Sequence, residues 1–176
     1  MLQLVLQALY FMLPAYIANM APVFFRKVPV LNYPVDFNKA LGGKPILGKN
    51  KTFRGFVFGT MFAVLTCFVQ YLVNSEYLTP SGVDYSYWLL LGFLLGFGAL
   101  FGDAVKSFFK RRVGIPPGKP FIPFDQLDYS LGALLFVSMV YLPIWQLSLA
   151  AVVSSFFLHI IAVKFAFCSG IRKERW

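Results

Sequence analysis

Three short segments of this chain combine charged residues at spacings that could do chemistry. In Gly102-Asp103-Ala104-Val105-Lys106-Ser107-Phe108-Phe109-Lys110-Arg111-Arg112, residues Asp103, Lys106 and Lys110 stand at i, i+3 and i+7, so a helix presents them on one face. In Pro123-Phe124-Asp125-Gln126-Leu127-Asp128, the two carboxylates at i and i+3 project to one side of a helix's first turn. The third segment runs from Gly42 to Gly55. Its glycines let backbone N–H groups approach an anion, and Lys44, Lys49, Lys51 and Arg54 supply charge. Thr52 adds a hydroxyl near a helix start, where the dipole favours anions.

Each segment alone has a plain structural reading. The first loop could be flexible and carry charge that only sets topology. Asp103 could pair locally with Lys106 or Lys110. Asp125 and Asp128 could cap a helix, since acid in the first turn suits the dipole and D-x-x-D resembles a capping box. The combination points further. Carboxylates set among cations suit Mg²⁺ bridging to phosphate oxygens, which is the equipment of phosphoryl or nucleotidyl transfer. One match misleads: Gly43 to Lys49 fits G-x-x-x-x-G-K, but Asn50 stands where a P-loop has Ser or Thr, and no parallel sheet can surround it.

The elements that must position these residues follow from composition. The chain has 176 residues, 59% of them hydrophobic, with a mean hydropathy of +0.69. A soluble globule does not need so much apolar surface, so the excess faces lipid. All sixteen Lys and Arg residues fall into three clusters, Arg26–Arg54, Lys106–Lys119 and Lys164–Arg175, separated by long apolar stretches. This is the positive-inside pattern of a multi-pass protein. The net charge of +9 therefore sits at membrane edges, which argues against a nucleic-acid partner.

Tyr129 to Val163 is 35 residues without a charge. As one helix it would be about 52 Å long, too long for a hydrocarbon core of about 30 Å. It reads as a helical hairpin turning near Tyr141–Gln146. The expected fold is an all-α integral membrane protein, a single membrane domain over 1–176 built as a bundle of five transmembrane helices. The spans are 2–25, 55–74, 85–108, 125–143 and 146–168. Cytoplasmic loops 26–54 and 109–124 form a polar site at the inner membrane edge. The N-terminus lies outside and the C-terminus in the cytoplasm, in a cell membrane.

Leu2–Phe25 reads as a retained span, with Pro14 as a kink, and not as a cleaved signal. Trp88, Trp145 and Trp176 suit membrane interfaces. Gly92–Gly96 and Gly98–Gly102 are small-xxx-small patterns for close helix packing. Cys67 and Cys168 lie in apolar runs and read as small buried hydrophobes. His159, deep in the last span, reads as a packing residue outside the site. There is no internal repeat.

Asn38, the Gly-Lys-Asn-Lys-Thr-Phe-Arg-Gly run at 48–55, Gly-Asp-x-x-Lys-Ser-Phe-x-Lys-Arg at 102–111 and Asp-Gln-x-Asp at 125–128 together resemble the CDP-archaeol synthases. These are archaeal membrane cytidylyltransferases related to CDP-diacylglycerol synthases. The resemblance covers nearly the whole chain. It implies that CTP and an isoprenoid ether phospholipid, 2,3-bis-O-geranylgeranylglycerol 1-phosphate, give CDP-archaeol and pyrophosphate, with Mg²⁺ as cofactor. It implies catalytic roles for Asp103, Lys106, Asp125 and Asp128, with the metal on Asp103, Asp125 and Asp128. CTP and phosphate binding would fall to Asn38, Lys44, Lys49, Lys51, Thr52, Arg54, Lys106, Lys110 and Arg111. The Pro-Gly-His-Gly-Gly stretch of the diacylglycerol enzymes is missing, and Gly114-Ile115-Pro116-Pro117-Gly118-Lys119-Pro120 stands in its place, which favours the archaeal branch.

Rival readings are a CTP-dependent polyprenol kinase and a non-enzymatic small lipid-binding or transport protein. A CDP-alcohol phosphotransferase is disfavoured because its D-G-x-x-A-R signature is absent.

Overall fold

Sequences with long uncharged runs fold as helices in lipid because a helix satisfies its own backbone hydrogen bonds. The computed structural model describes residues 1–73, 75–116 and 119–168, and these form five α-helices. They are α1 (Leu2–Phe24), α2 (Phe53–Val73), α3 (Trp88–Arg112), α4 (Phe124–Val137) and α5 (Trp145–Cys168). A small antiparallel hairpin, β1 (Ala40–Leu41) and β2 (Lys44–Pro45), lies between α1 and α2. Among the described residues, four segments are long and apolar enough to cross a membrane: Leu2–Lys27, Phe53–Val73, Tyr85–Arg112 and Trp145–Phe165. The protein is a multi-pass membrane protein of helical class.

The fourth helix is shorter than the sequence suggests. It has 14 residues, about 21 Å at 1.5 Å per residue, against a core of about 30 Å. The chain leaves the helix after Val137 and turns through 138–144, a few residues before the expected position. The Ser138 hydroxyl donates to the Leu135 carbonyl at 2.7 Å. Pro143 then disfavours helix at the residue before it.

Helix α3 lies between α2 and α4, and its glycines explain how closely. Gly92 and Gly96 face α2, where an added Cβ would meet Val64, Ala63 and Thr60. Gly98 and Gly102 face α4. A Cβ on Gly98 would come within 2.6 Å of the Gly132 carbonyl oxygen, and one on Gly102 would run into the Asp128 backbone carbonyl. Each small-xxx-small pair therefore seats a different neighbour. The second pair presses the first turns of α4 onto the charged end of α3.

Helix α5 shows two stripes at four-residue spacing. Leu149, Val153, Phe157, Ile161 and Phe165 are exposed and form an apolar outer face. Leu147, Ala151 and Ser155 are buried against the bundle. Near one end, the Gln7 amide of α1 donates to the Tyr77 and Thr79 carbonyls in the α2–α3 connection. Asn19 of α1 and Val163 of α5 reach the opposite end, where the charged segments gather.

Trp88 and Trp145 begin α3 and α5, whereas Trp176 lies outside the described residues, as do Arg172, Lys173, Glu174 and Arg175. Cys67 is buried as expected. Cys168 is exposed rather than buried.

Candidate active site

The helical spacing of Asp103, Lys106 and Lys110 places all three side chains toward the first turns of α4. Lys106 Nζ lies 3.1 Å from Asp103 Oδ1, 2.7 Å from Asp125 Oδ1 and 2.8 Å from Asp128 Oδ2. Three carboxylates from two helices thus share one ammonium. Lys51, from the first loop, bonds Asp103 from the other side. Lys110 donates to both Asp125 oxygens, at 3.2 and 3.1 Å. The six side chains are largely buried, between 5% and 20% exposed, so solvent screens their charges weakly. Three ammonium groups balance three carboxylates.

Asp125 does not cap α4, whose first turn receives no side-chain cap hydrogen bond. Its Oδ2 accepts from the Phe121 N–H at 2.5 Å. Asp128 does not cap it either. Its Oδ1 accepts only the adjacent Tyr129 N–H at 2.7 Å, and its buried Oδ2 faces the Lys106 ammonium without an aligned hydrogen bond.

These groups line a cavity of about 240 Å³ at the charged end of the bundle. Its cationic side is formed by Lys51, Lys106, Lys110, Arg111 and Lys119, and the three aspartates lie within it. Asn19, His159, Ile160 and Val163 close the side formed by α1 and α5.

The first loop is tied down at two places. Arg112 donates to the carbonyls of Leu41, Lys44 and Pro45 at 2.5, 3.1 and 2.5 Å, and Lys44 Nζ returns a bond to the Arg112 carbonyl at 3.0 Å. Asp36 is the second tie. It is buried and accepts the N–H groups of Leu47, Gly48 and Asn38 at 2.8, 3.0 and 3.0 Å. Burial alone would raise the Asp36 carboxyl pKa; the Gly48, Leu47 and Asn38 N–H groups overcome this and hold it below the usual carboxylate range. The tie is therefore present above the ordinary carboxylate pKa and lost as pH falls through the lowered one. We expect Asp36→Asn to make the 39–51 loop cut faster in limited proteolysis at neutral pH, with the helices unaffected. Unchanged cleavage would show that Asp36 does not restrain the loop.

The carboxylates and cations of the first loop, α3 and α4 coincide with the segments that carry the resemblance. A family model described as CarS-like, CDP-archaeol synthase, matches residues 1–176. The chain belongs to the CDP-archaeol synthase family. A CDP-archaeol synthase from Archaeoglobus fulgidus is 40% identical over 157 residues, covering 88% of this chain and 85% of the relative. One from Thermococcus onnurineus is 38% identical over 173 residues, covering 97% and 96%. A solved structure of an intramembrane enzyme for archaeal membrane lipids biosynthesis superposes with a TM-score of 0.75. It is 32% identical and covers 90% of this chain and 93% of that one.

The fold brings together seven of the expected site residues: Lys51, Asp103, Lys106, Lys110, Arg111, Asp125 and Asp128. It places the other expected residues elsewhere. Lys44 belongs to the Arg112 latch. Arg54 is buried and donates to the Val28 carbonyl. Thr52 Oγ1 accepts the Gly55 N–H at 3.3 Å and caps α2. Asn38 and Lys49 are exposed on the loop, off the cavity wall.

His159 packs as expected but is not remote from the site. It lines the cavity and stacks on Tyr129, with ring centroids 6.0 Å apart. Asn19, Ser107 and Gln126 also line it. Gln126 neighbours Asp125, and its buried Oε1 finds no hydrogen-bond donor among the described residues. Ser107 and Gln126 sit inside the two charged motifs, so their positions were a signal. Asn19 and His159 carry none, because only the tertiary packing of α1 and α5 brings them there.

Proposed function

We propose that the protein transfers the cytidylyl group of CTP to 2,3-bis-O-geranylgeranylglycerol 1-phosphate, releasing pyrophosphate and CDP-archaeol. One observation carries this reading: three carboxylates from two helices converge on Lys106 inside a cation-walled cavity at the end of an apolar bundle. The family and its relatives' names support it. An oxygen of the lipid phosphate attacks the α-phosphorus of CTP, and the bond to the β-phosphate breaks. A phosphomonoester near pH 7 is already nucleophilic, so no activated Ser or Cys is needed. Lys51, Lys110 and Arg111 offset charge on the two polyanions and on the leaving pyrophosphate, which is where most of such a rate enhancement arises.

The residues fit a hard divalent cation. Asp103, Asp125 and Asp128 offer only oxygen donors within one ammonium's reach, and the buried Asp128 Oδ2 has no aligned hydrogen bond to lose. Among the described residues, no three acidic, His or Cys side chains stand close enough together to hold a metal ion; Lys106 occupies the point between the three carboxylates, from which a bound cation would displace it. Mg²⁺ held by these three aspartates would neutralise the triphosphate as the two substrates meet. The clustering of cations favours an orientation in which the cavity faces the cytoplasm, where CTP is found.

The test is the fate of label. Purified protein in detergent receives the lipid phosphate, Mg²⁺ and CTP labelled at the α-phosphate. We expect the label in lipid and stoichiometric pyrophosphate. Label left in CDP would indicate a kinase, and intact CTP a carrier.

A further inference from the structure

The inward stripe of α5 continues past the helices that cover it. Leu147, Ala151 and Ser155 are buried against the bundle. At the same four-residue spacing come His159 and Val163, which face the cavity. This wall differs from the opposite one. The α3 and loop side carries Lys51, Lys106, Lys110 and Arg111, whereas the α5 side offers Ile160, Val163 and a single titratable group, His159. Helix α5 is also the least covered of the four membrane-crossing segments, with 17% of its apolar stretch buried.

The imidazole is held in place from below. It stacks on Tyr129, whose hydroxyl donates to the Ser155 carbonyl at 2.9 Å, one turn earlier on α5. The Tyr16 hydroxyl and Ser155 Oγ lie 2.9 Å apart, tying α1 to the same point. The ring stack seats the imidazole at the edge of an apolar wall, and the two hydroxyl contacts hold the Tyr129 and Ser155 that support it.

Two polyanions must meet in this cavity, and they arrive by different routes. The nucleotide comes from water toward the lysine-rich wall. A lipid comes from the bilayer, past the apolar face of α5, headgroup first. We propose that His159 donates a hydrogen bond to the phosphate of the lipid substrate and holds it on the α5 side of the cavity, across from the nucleotide. The inference rests on the cytidylyl-transfer reading and extends it by assigning the two substrates to opposite walls.

The test uses the full-length protein in detergent with a short-chain dialkylglycerol phosphate, CTP and Mg²⁺. His159→Phe keeps a ring to stack on Tyr129 and removes the donor. We expect its KM for the lipid phosphate to rise about tenfold, the effect of losing one hydrogen bond to a charged group, while its KM for CTP changes less than about twofold, well below that loss. His159→Gln, which restores a donor, should recover part of the loss. Binding measured without CTP or metal should weaken for the dialkylglycerol phosphate and stay unchanged for the neutral dialkylglycerol. An equal loss for both lipids would overturn the proposal and make His159 a packing residue. A rise in the KM for CTP instead would place the imidazole on the nucleotide. A wild-type protein that moves no label into lipid would contradict the transfer reading itself, which is a separate result.

Discussion

Replacing Asp128 with Asn is expected to leave a folded protein whose label transfer from CTP to lipid falls about a thousandfold, the upper range for removing one preorganised electrostatic group from a site. Asn has nearly the same shape and keeps an oxygen for the Tyr129 N–H. What disappears is one of three negative charges around Lys106. The fold should survive because Lys106 retains Asp103 and Asp125, so no buried cation is left unpaired; breaking a buried pair outright would cost about 3–5 kcal/mol. Size-exclusion elution and helical circular dichroism should match the wild type. Full activity in Asp128→Asn would reduce the carboxylate to a structural group.

The second large effect is expected away from the charges. Gly102→Ala adds a Cβ that meets the backbone carbonyl of Asp128, and backbone cannot swing aside as a long side chain can. Helix α4 must move off α3. Overpacking of this kind destabilises by about 1–3 kcal/mol. It also separates Asp128 from Asp103 and Lys106, and a displacement of about 1 Å in a reacting site can cost about a hundredfold in rate. A lowered thermal midpoint in detergent together with a large loss of turnover is the expected pair of results. A wild-type midpoint with wild-type turnover would show that the α3–α4 contact has slack.

How much of this was legible beforehand depended on whether a property was local. The spacing of Asp103, Lys106 and Lys110 places them on one helical face regardless of context, and the same holds for Asp125 and Asp128. That those faces meet needed only the expectation that consecutive membrane helices pack as neighbours. The glycine pairs of α3 announced close packing, but not that Gly92 and Gly96 serve α2 while Gly98 and Gly102 serve α4.

The first loop was harder to read. Lys44, Arg54 and Thr52 have the chemistry of phosphate ligands, yet here they make backbone contacts that hold the loop and cap α2. Composition cannot separate a cation that meets a carbonyl from one that meets a phosphate. The tie at Asp36 was not legible, because its three N–H partners come from a loop conformation with no sequence period. His159 was invisible for the opposite reason. It sits in a long apolar run, and only the end of the buried stripe on α5 reveals that its neighbour is a cavity.

The central claim is that aspartates from α3 and α4 jointly hold a divalent cation for the triphosphate. Manganese binding followed by electron paramagnetic resonance, in detergent and without nucleotide, which would itself chelate Mn²⁺, tests it most directly. Wild-type protein should remove the free Mn²⁺ signal, and Asp128→Asn at the same concentration should leave most of it. Equal depletion by the two proteins would contradict the account.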